Sequence, residues 1–117
     1  MDENEPGQPY GPAAAAAAPP PDAATLRARL NLETAVIAWE ELARHFARGA
    51  VLTVDRELDL IEAAAAVAED DRQRVGAWLE ENRLHPTTIA EAREWTEGRA
   101  DVWSVVVAPW VLVQAIA

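Results

Sequence analysis

The sequence predicts a small α+β domain, with about four helices packed on a small sheet and a disordered N-terminal tail rich in alanine and proline. Three observations support this prediction. A chain of 117 residues has room for one domain. Stretches with helical spacing of apolar residues alternate with short β-branched runs. The first part of the chain has too few large apolar side chains to form a core.

The first 23 residues differ in composition from the rest. Their run PGQPYGPAAAAAAPPP has one aromatic residue and no aliphatic side chain larger than alanine. Burial of so little apolar surface cannot offset the entropy of ordering the chain. We therefore expect residues 1–23 to be disordered and residues 24–117 to form a single compact domain. The acidic start MDENEPGQPY is unlike a signal peptide, and cysteine is absent, which together predict a cytoplasmic protein.

Helical periodicity predicts the helices. Apolar residues recur at spacings of three and four from Leu32 to Phe46, which indicates one long helix or two shorter ones over about 25–48. Gly49 follows at the position of a left-handed C-terminal cap. Further helices are predicted over about 57–68, 71–83 and 88–97.

Capping signals mark where these later helices begin. Asp55 follows a short apolar run and is suited to cap the next helix. Asp70 with Gln73, and Thr88 with Glu91, have the three-residue spacing of a capping box.

Two apolar stretches predict the sheet. AVLTV, over 50–54, is short and β-branched. No charge follows Asp101, and there we predict a strand over Val102–Ala108, a bend or edge at Pro109 and a second extended piece over Trp110–Val113. Continuous hydrophobicity indicates that both faces of this strand are covered. The run is too short and too interrupted to cross a membrane.

Five tryptophans must share a small interior, and each can bury about 150–250 Å². We expect a second copy of the chain to cover part of this area, so that the protein is a homo-oligomer; packing of all five within one chain is the alternative. The predicted apolar contact surface consists of Trp110, Val111 and Leu112.

The formal net charge is −10, and the densest group of acids lies over 55–71. The predicted acidic face consists of Asp55, Glu57, Asp59, Glu62, Glu69, Asp70 and Asp71. An acidic surface disfavours direct binding of nucleic acid and suits a basic protein partner. Two alternatives use the same carboxylates: a metal-dependent enzyme or regulator, and an acidic mimic of nucleic acid. The calcium-loop pattern is incomplete, so no metal site and no cofactor are predicted.

The sequence has no catalytic motif. His45 and His85 are isolated, and Ser104 lacks a nucleophile elbow. We therefore assign no catalytic residue and lean against an enzyme. The leading hypothesis is a non-enzymatic protein–protein interaction module that self-associates.

Three stretches carry a resemblance to a known family: LNLETAVIAWEEL, FARGAVLTVDRELDLIEAAAAVAEDD and VVVAPWVLVQ. They resemble the uncharacterised bacterial family named domain of unknown function 2288, over about Leu26 to Gln114. The resemblance implies a bacterial, single-domain, cytoplasmic protein. It brings no activity, substrate or catalytic residue, and it leaves the function open.

Overall fold

The computed structural model describes residues 23–116, which form an α+β fold, as predicted. The predicted tail lies outside the described residues, except that Ala23 begins the first helix. In chain order the elements are α1 (Ala23–Glu33), β1 (Ala35–Ala38), a 3-10 helix (Trp39–Leu42), α2 (Ala43–Ala47), β2 (Val51–Val54), α3 (Leu60–Ala68), α4 (Arg72–Glu80), β3 (Leu84–Pro86), α5 (Ile89–Glu97), β4 (Asp101–Val107) and β5 (Trp110–Ala115).

The five strands form one mixed sheet in the order β1-β4-β5-β2-β3. β5, in the middle, pairs antiparallel with β4 and parallel with β2, and the other pairs are antiparallel. β4 and β5 form a hairpin that turns at Ala108 and Pro109, which confirms the predicted bend. The peptide bond between these two residues is cis.

Helices cover both faces of the sheet, which gives three layers. On one face, α1, α3 and α4 pack on a core that includes Leu30, Leu84 and Leu112. The four consecutive alanines 63–66 of α3 are fully buried, and their small side chains let this helix approach the sheet closely. On the other face, Trp39 of the 3-10 helix and Trp95 of α5 meet edge to face, with ring centroids 5.0 Å apart.

Of the two alternatives over 25–48, the single long helix is wrong, and two shorter helices, α1 and α2, form instead. α1 ends early, and the chain then forms β1, whose Val36 and Ile37 pair with Trp103 and Val102 of β4. Both β1 residues are β-branched and favour extended backbone, so pairing with a distant strand overrides the helical spacing. Gly49 does have the predicted left-handed conformation after α2, with φ of 72°.

The other helices lie within a few residues of their predicted positions. The capping box of Thr88 and Glu91 is confirmed at the start of α5. The box predicted for Asp70 and Gln73 does not form, and Asp71 instead caps α4 by accepting a hydrogen bond from Arg74 N–H. Strand β3 is absent from the sequence prediction.

The prediction that both faces of the C-terminal strands are covered holds for β5 and fails for β4. Val111, Leu112 and Val113 of β5 are all buried, because this strand lies at the centre of the sheet. Trp103 and Val106 of β4 are exposed. These two residues lie on opposite faces of the strand, so part of each face of β4 reaches the surface.

Candidate functional site

The seven acids of the predicted acidic face lie in two groups at opposite ends of α3. α3 has nine residues, so about 13 Å separate its ends. One group lies at the start of the helix, over 55–62, and the other follows its end, over 69–71. The structure therefore divides these carboxylates between two surfaces.

Several of these carboxylates support the fold directly. Asp59 caps α3 by accepting hydrogen bonds from the backbone N–H groups of Ile61 and Glu62, at 2.8 and 3.2 Å. It takes the capping role that the sequence suggested for Asp55. Glu62 binds two arginines: Arg27 of α1 at 2.9 Å and Arg74 of α4 at 3.0 Å.

Within residues 23–116, no three histidine, aspartate or glutamate side chains converge in an arrangement that would hold a metal ion.

The predicted apolar contact surface is only partly at the surface. Trp110 is 37% exposed, but Val111 and Leu112 are 2% and 0% exposed in the two cores. Val111 and Leu112 face opposite sides of the central strand β5, and helices cover both sides. In this conformation only Trp110 of the three is available to a partner.

Trp110 lies beside an apolar groove between α3, α4 and the β3 edge of the sheet. The groove has a volume of about 330 Å³. Its apolar lining consists of Leu52, Val67, Val75, Leu79, Leu84, Pro86 and Trp110. Asp70, Asp71 and Arg72 lie at its rim. We call this the Trp110 groove, and it brings Trp110 together with one of the two acidic groups.

A second cavity, of about 590 Å³, opens on the opposite face of the sheet, near the carboxyl ends of β2 and β5. It is lined by Thr53, Val54, Asp55, Arg56, Glu57, His85, Glu91, Trp95 and Ala115. We call it the Glu91 cleft. Pockets of this volume are typical of small-ligand sites.

Glu91 is the centre of a hydrogen-bonded network in this cleft. His85 Nε2 lies 3.0 and 3.1 Å from the two carboxylate oxygens of Glu91. The Thr53 hydroxyl donates to Glu91 Oε1 at 3.2 Å and lies 2.8 Å from the hydroxyl of Thr87. Thr88 N–H also donates to Oε1, at 3.0 Å.

Glu91 is held in its ionised form. Burial disfavours the charge, but hydrogen bonds from Thr88 N–H, the His85 ring and the Thr53 hydroxyl outweigh burial and lower the pKa of Glu91. A charged carboxylate is therefore available in the cleft at neutral pH.

The loop between β2 and α3 forms one lip of the cleft and is fixed to the central strand. Gln114 of β5 donates from Nε2 to the backbone carbonyl oxygens of Asp55 and Leu58, at 2.9 and 2.7 Å. Asp55 N–H donates to the carbonyl oxygen of Arg83, at 2.8 Å. These bonds hold the acidic lip in place over the cavity.

The pairing of His85 with Glu91 was not predicted from the sequence. His85 appears isolated there, and Glu91 has a sufficient role in capping α5. The segment HPTTIAE gives one weak indication that the two side chains are close, because only a short connection separates β3 from the first turn of α5. Only pairing of β3 with β2 places His85 opposite Thr53 and fixes its direction.

None of the helices in the part of the chain that the structure describes is long and apolar enough to cross a membrane.

Comparison with known proteins places the chain in a family. Residues 25–115 match the family described as a protein of unknown function, DUF2288. The NMR solution structure of PA1075 from Pseudomonas aeruginosa is similar, with a TM-score of 0.71 and 50% sequence identity, covering 80% of this chain and 86% of that one. No curated protein matches the chain. The resemblance inferred from the sequence is thus confirmed, and the chain belongs to the DUF2288 family of proteins of unknown function.

Proposed function

We propose that this protein is a non-enzymatic interaction module whose Trp110 groove holds an apolar side chain from a basic segment of another protein. One observation carries the proposal: the exposed apolar side chains of Trp110 and Leu79 line the same groove that has Asp70 and Asp71 at its rim. A basic partner is the class that this combination fits.

The apolar part of the groove supplies the binding energy. Leu79 is 47% exposed and Trp110 is 37% exposed, although both are large apolar residues. An aromatic anchor surrounded by polar groups is the usual anatomy of a protein-binding patch. A partner side chain that entered the groove would remove both residues from water.

The negative charge of the molecule favours a positively charged partner. The chain carries a formal net charge of −10, which draws basic proteins towards it. Asp70 is exposed, and within residues 23–116 its ion pair is with the exposed Arg72, at 3.4 Å, so it remains open to a second cation. Asp71 uses one carboxylate oxygen to accept the hydrogen bond that caps α4. A basic side chain beside the groove therefore meets two carboxylates.

The proposal is tested by measuring the binding of a labelled amphipathic helical peptide, with leucine on one face and lysine elsewhere, by fluorescence anisotropy. We expect binding that weakens with salt, and none for versions with Lys replaced by Glu or Leu by Ser. Leu79→Ser should weaken binding about tenfold, because burial of a leucine contributes about 1.5–3 kcal/mol and a tenfold change is about 1.4 kcal/mol.

Leu32→Ser is the matched control, because Leu32 is 85% exposed on α1 and lies outside the groove lining. It should leave peptide binding unchanged. Equal binding of the Glu-substituted peptide, or no effect of Leu79→Ser, would contradict the proposal. An acidic mimic of nucleic acid would instead bind the lysine peptide whether or not its leucines were present.

Self-association is a second candidate, and strand β1 favours it. β1 lies at the sheet edge, and its four residues AVIA contain neither charge nor proline. Proteins usually protect exposed edges with charged residues, proline or bulges. Exposed Val36 of β1 lies opposite exposed Trp103 of β4, which adds an apolar pair beside the open edge. A second copy that adds its own β1 would pair this open edge and place a strand beside Val36.

A further inference from the structure

We infer that the Glu91 cleft binds a cationic group, an ammonium or a guanidinium, carried on an apolar stem. The cleft lies on the face of the sheet opposite the Trp110 groove, so this inference does not depend on the interaction proposed for that groove.

One oxygen of Glu91 is left available. Oε1 is within hydrogen-bond distance of His85, Thr53 and Thr88. Among the described residues, Oε2 accepts only from His85, through a donor that it shares with Oε1. A carboxylate has about four acceptor sites. Oε2 therefore retains capacity for a donor that enters the cleft.

The charges around the cavity favour a cation. Three carboxylates line it, those of Asp55, Glu57 and Glu91, against the single guanidinium of Arg56. Glu57 has no partner for its carboxylate among residues 23–116, and Asp55 uses one oxygen to accept from Glu57 N–H, at 2.8 Å. An entering ammonium or guanidinium would balance this excess of negative charge.

The walls of the cleft suit an apolar stem. Trp95, Val54 and Ala115 line it beside the carboxylates. A cation near the ring of Trp95 gains a cation–π attraction, and the stem gains from leaving water. The volume of about 590 Å³ accommodates a small organic ligand or one long basic side chain.

His85 is a positioning residue in this site. Its Nε2 is engaged with Glu91, and its Nδ1 is buried without a partner among the described residues. The ring therefore has no second nitrogen exposed to the cleft, and it orients the Glu91 carboxylate rather than contacting the ligand. Thr53, with the buried Thr87 behind it, supports the same carboxylate from below.

The test is an NMR titration of the full chain with four probes that share one carbon chain: butylammonium, butylguanidinium, butanol and butyrate. We expect both cations to shift the amide resonances of Thr53 and Thr88 and the indole resonance of Trp95, and we expect the alcohol and the acid to leave them unchanged. Equal responses to butanol and butylammonium, or no response to either cation, would overturn the inference. A capped Gly-Arg-Gly peptide distinguishes a protein side chain from a free amine as the source of the cation.

Three variants locate the bound cation. Glu91→Gln should lower cation affinity at least about tenfold, the effect of losing about 1.4 kcal/mol of attraction. Because this change also alters the capping box, Glu57→Gln on the exposed lip provides a test that leaves the fold intact, with an expected loss of several-fold. Glu80→Gln is the matched control, because Glu80 is an exposed residue of α4 outside the cleft, and this variant should bind the cations as the wild type does. Unchanged affinity in Glu57→Gln and Glu91→Gln would refute the assignment.

Discussion

Glu62 connects three helices through one side chain. It lies in the first turn of α3 and accepts hydrogen bonds from Arg27 of α1 and Arg74 of α4. Arg74 also lies over the ring of Trp78, 5.0 Å from its centroid, so the network joins a charge cluster to the core. The hydrogen bond from Arg27, then that from Arg74, outweighs burial and lowers the pKa of Glu62 to about 2.

The pH dependence of stability follows from this shift. The folded state holds the proton on Glu62 less tightly than the unfolded state does, whose pKa is near the ordinary 4.5. The stabilisation is therefore complete above that value and is lost as the pH falls towards about 2. We expect Glu62→Gln to lower the melting temperature at pH 7 by roughly 3–6 °C, a modest effect because solvent partly screens this network. The difference in melting temperature between the variant and the wild type should become smaller at low pH, where Glu62 is protonated in both folded and unfolded chains.

The measurement is a series of thermal melts between neutral and acidic pH. Glu94→Gln, at an exposed position of α5, serves as the control and should follow the wild-type curve throughout. A difference in melting temperature between Glu62→Gln and the wild type that stayed constant down to the lowest pH would show that the carboxylate contributes through packing and not through its charge.

Among the elements, those with a local sequence signal were predictable, and strands β1 and β3, which exist through pairing with other strands, were not. The capping box that begins α5 depends on residues three apart, and the sequence shows it directly. β1 exists because Ala35–Ala38 pair with Asp101–Ser104, more than sixty residues away. Its residues also satisfy a helical spacing, and no local signal separates the two outcomes.

β1 is also the element on which self-association is tested. We expect the wild type to form dimers that Val36→Lys converts to monomers, because a lysine on an open edge strand opposes pairing with another strand. Ile89→Lys, at an exposed position of α5, should retain the dimer. Sedimentation equilibrium over a range of protein concentrations measures this. A wild type that is monomeric throughout, or a dimer in Val36→Lys, would remove β1 from consideration.

For the whole molecule, the described core can be tested against the N-terminal segment that the sequence predicts to be disordered. Its buried side chains come from Leu26 onward. We expect a chain that lacks residues 1–22 to melt within about 2 °C of the full chain, because the composition of this segment offers few large apolar side chains for burial. Deletion of 110–117 is the opposite control, since it removes the central strand, and it should abolish cooperative melting. A large loss of stability without 1–22 would show that the tail packs on the domain.

The candidate sites depend on the whole molecule in the same way. The Trp110 groove combines side chains from β2, β3, α3, α4 and β5. The sequence could therefore indicate Trp110 and the acidic residues as candidates, but not that they lie close together in space. The same continuous hydrophobicity that predicted a buried strand could not tell Trp110 from Leu112. Which of them is exposed depends on the helices that cover β5 and on where that cover stops.

The central place of β5 has a consequence for biosynthesis. Val51 of β2 pairs with Val111, sixty residues later. At about 5–20 residues per second, a ribosome takes roughly 3–12 s to translate that interval. Throughout it, Leu52 and Thr53 lack the strand that later lies beside them, and their edge is open to other chains and to chaperones. The nascent chain therefore completes its sheet only once β5 has emerged, and folding is concentrated at the last stage of synthesis of this domain.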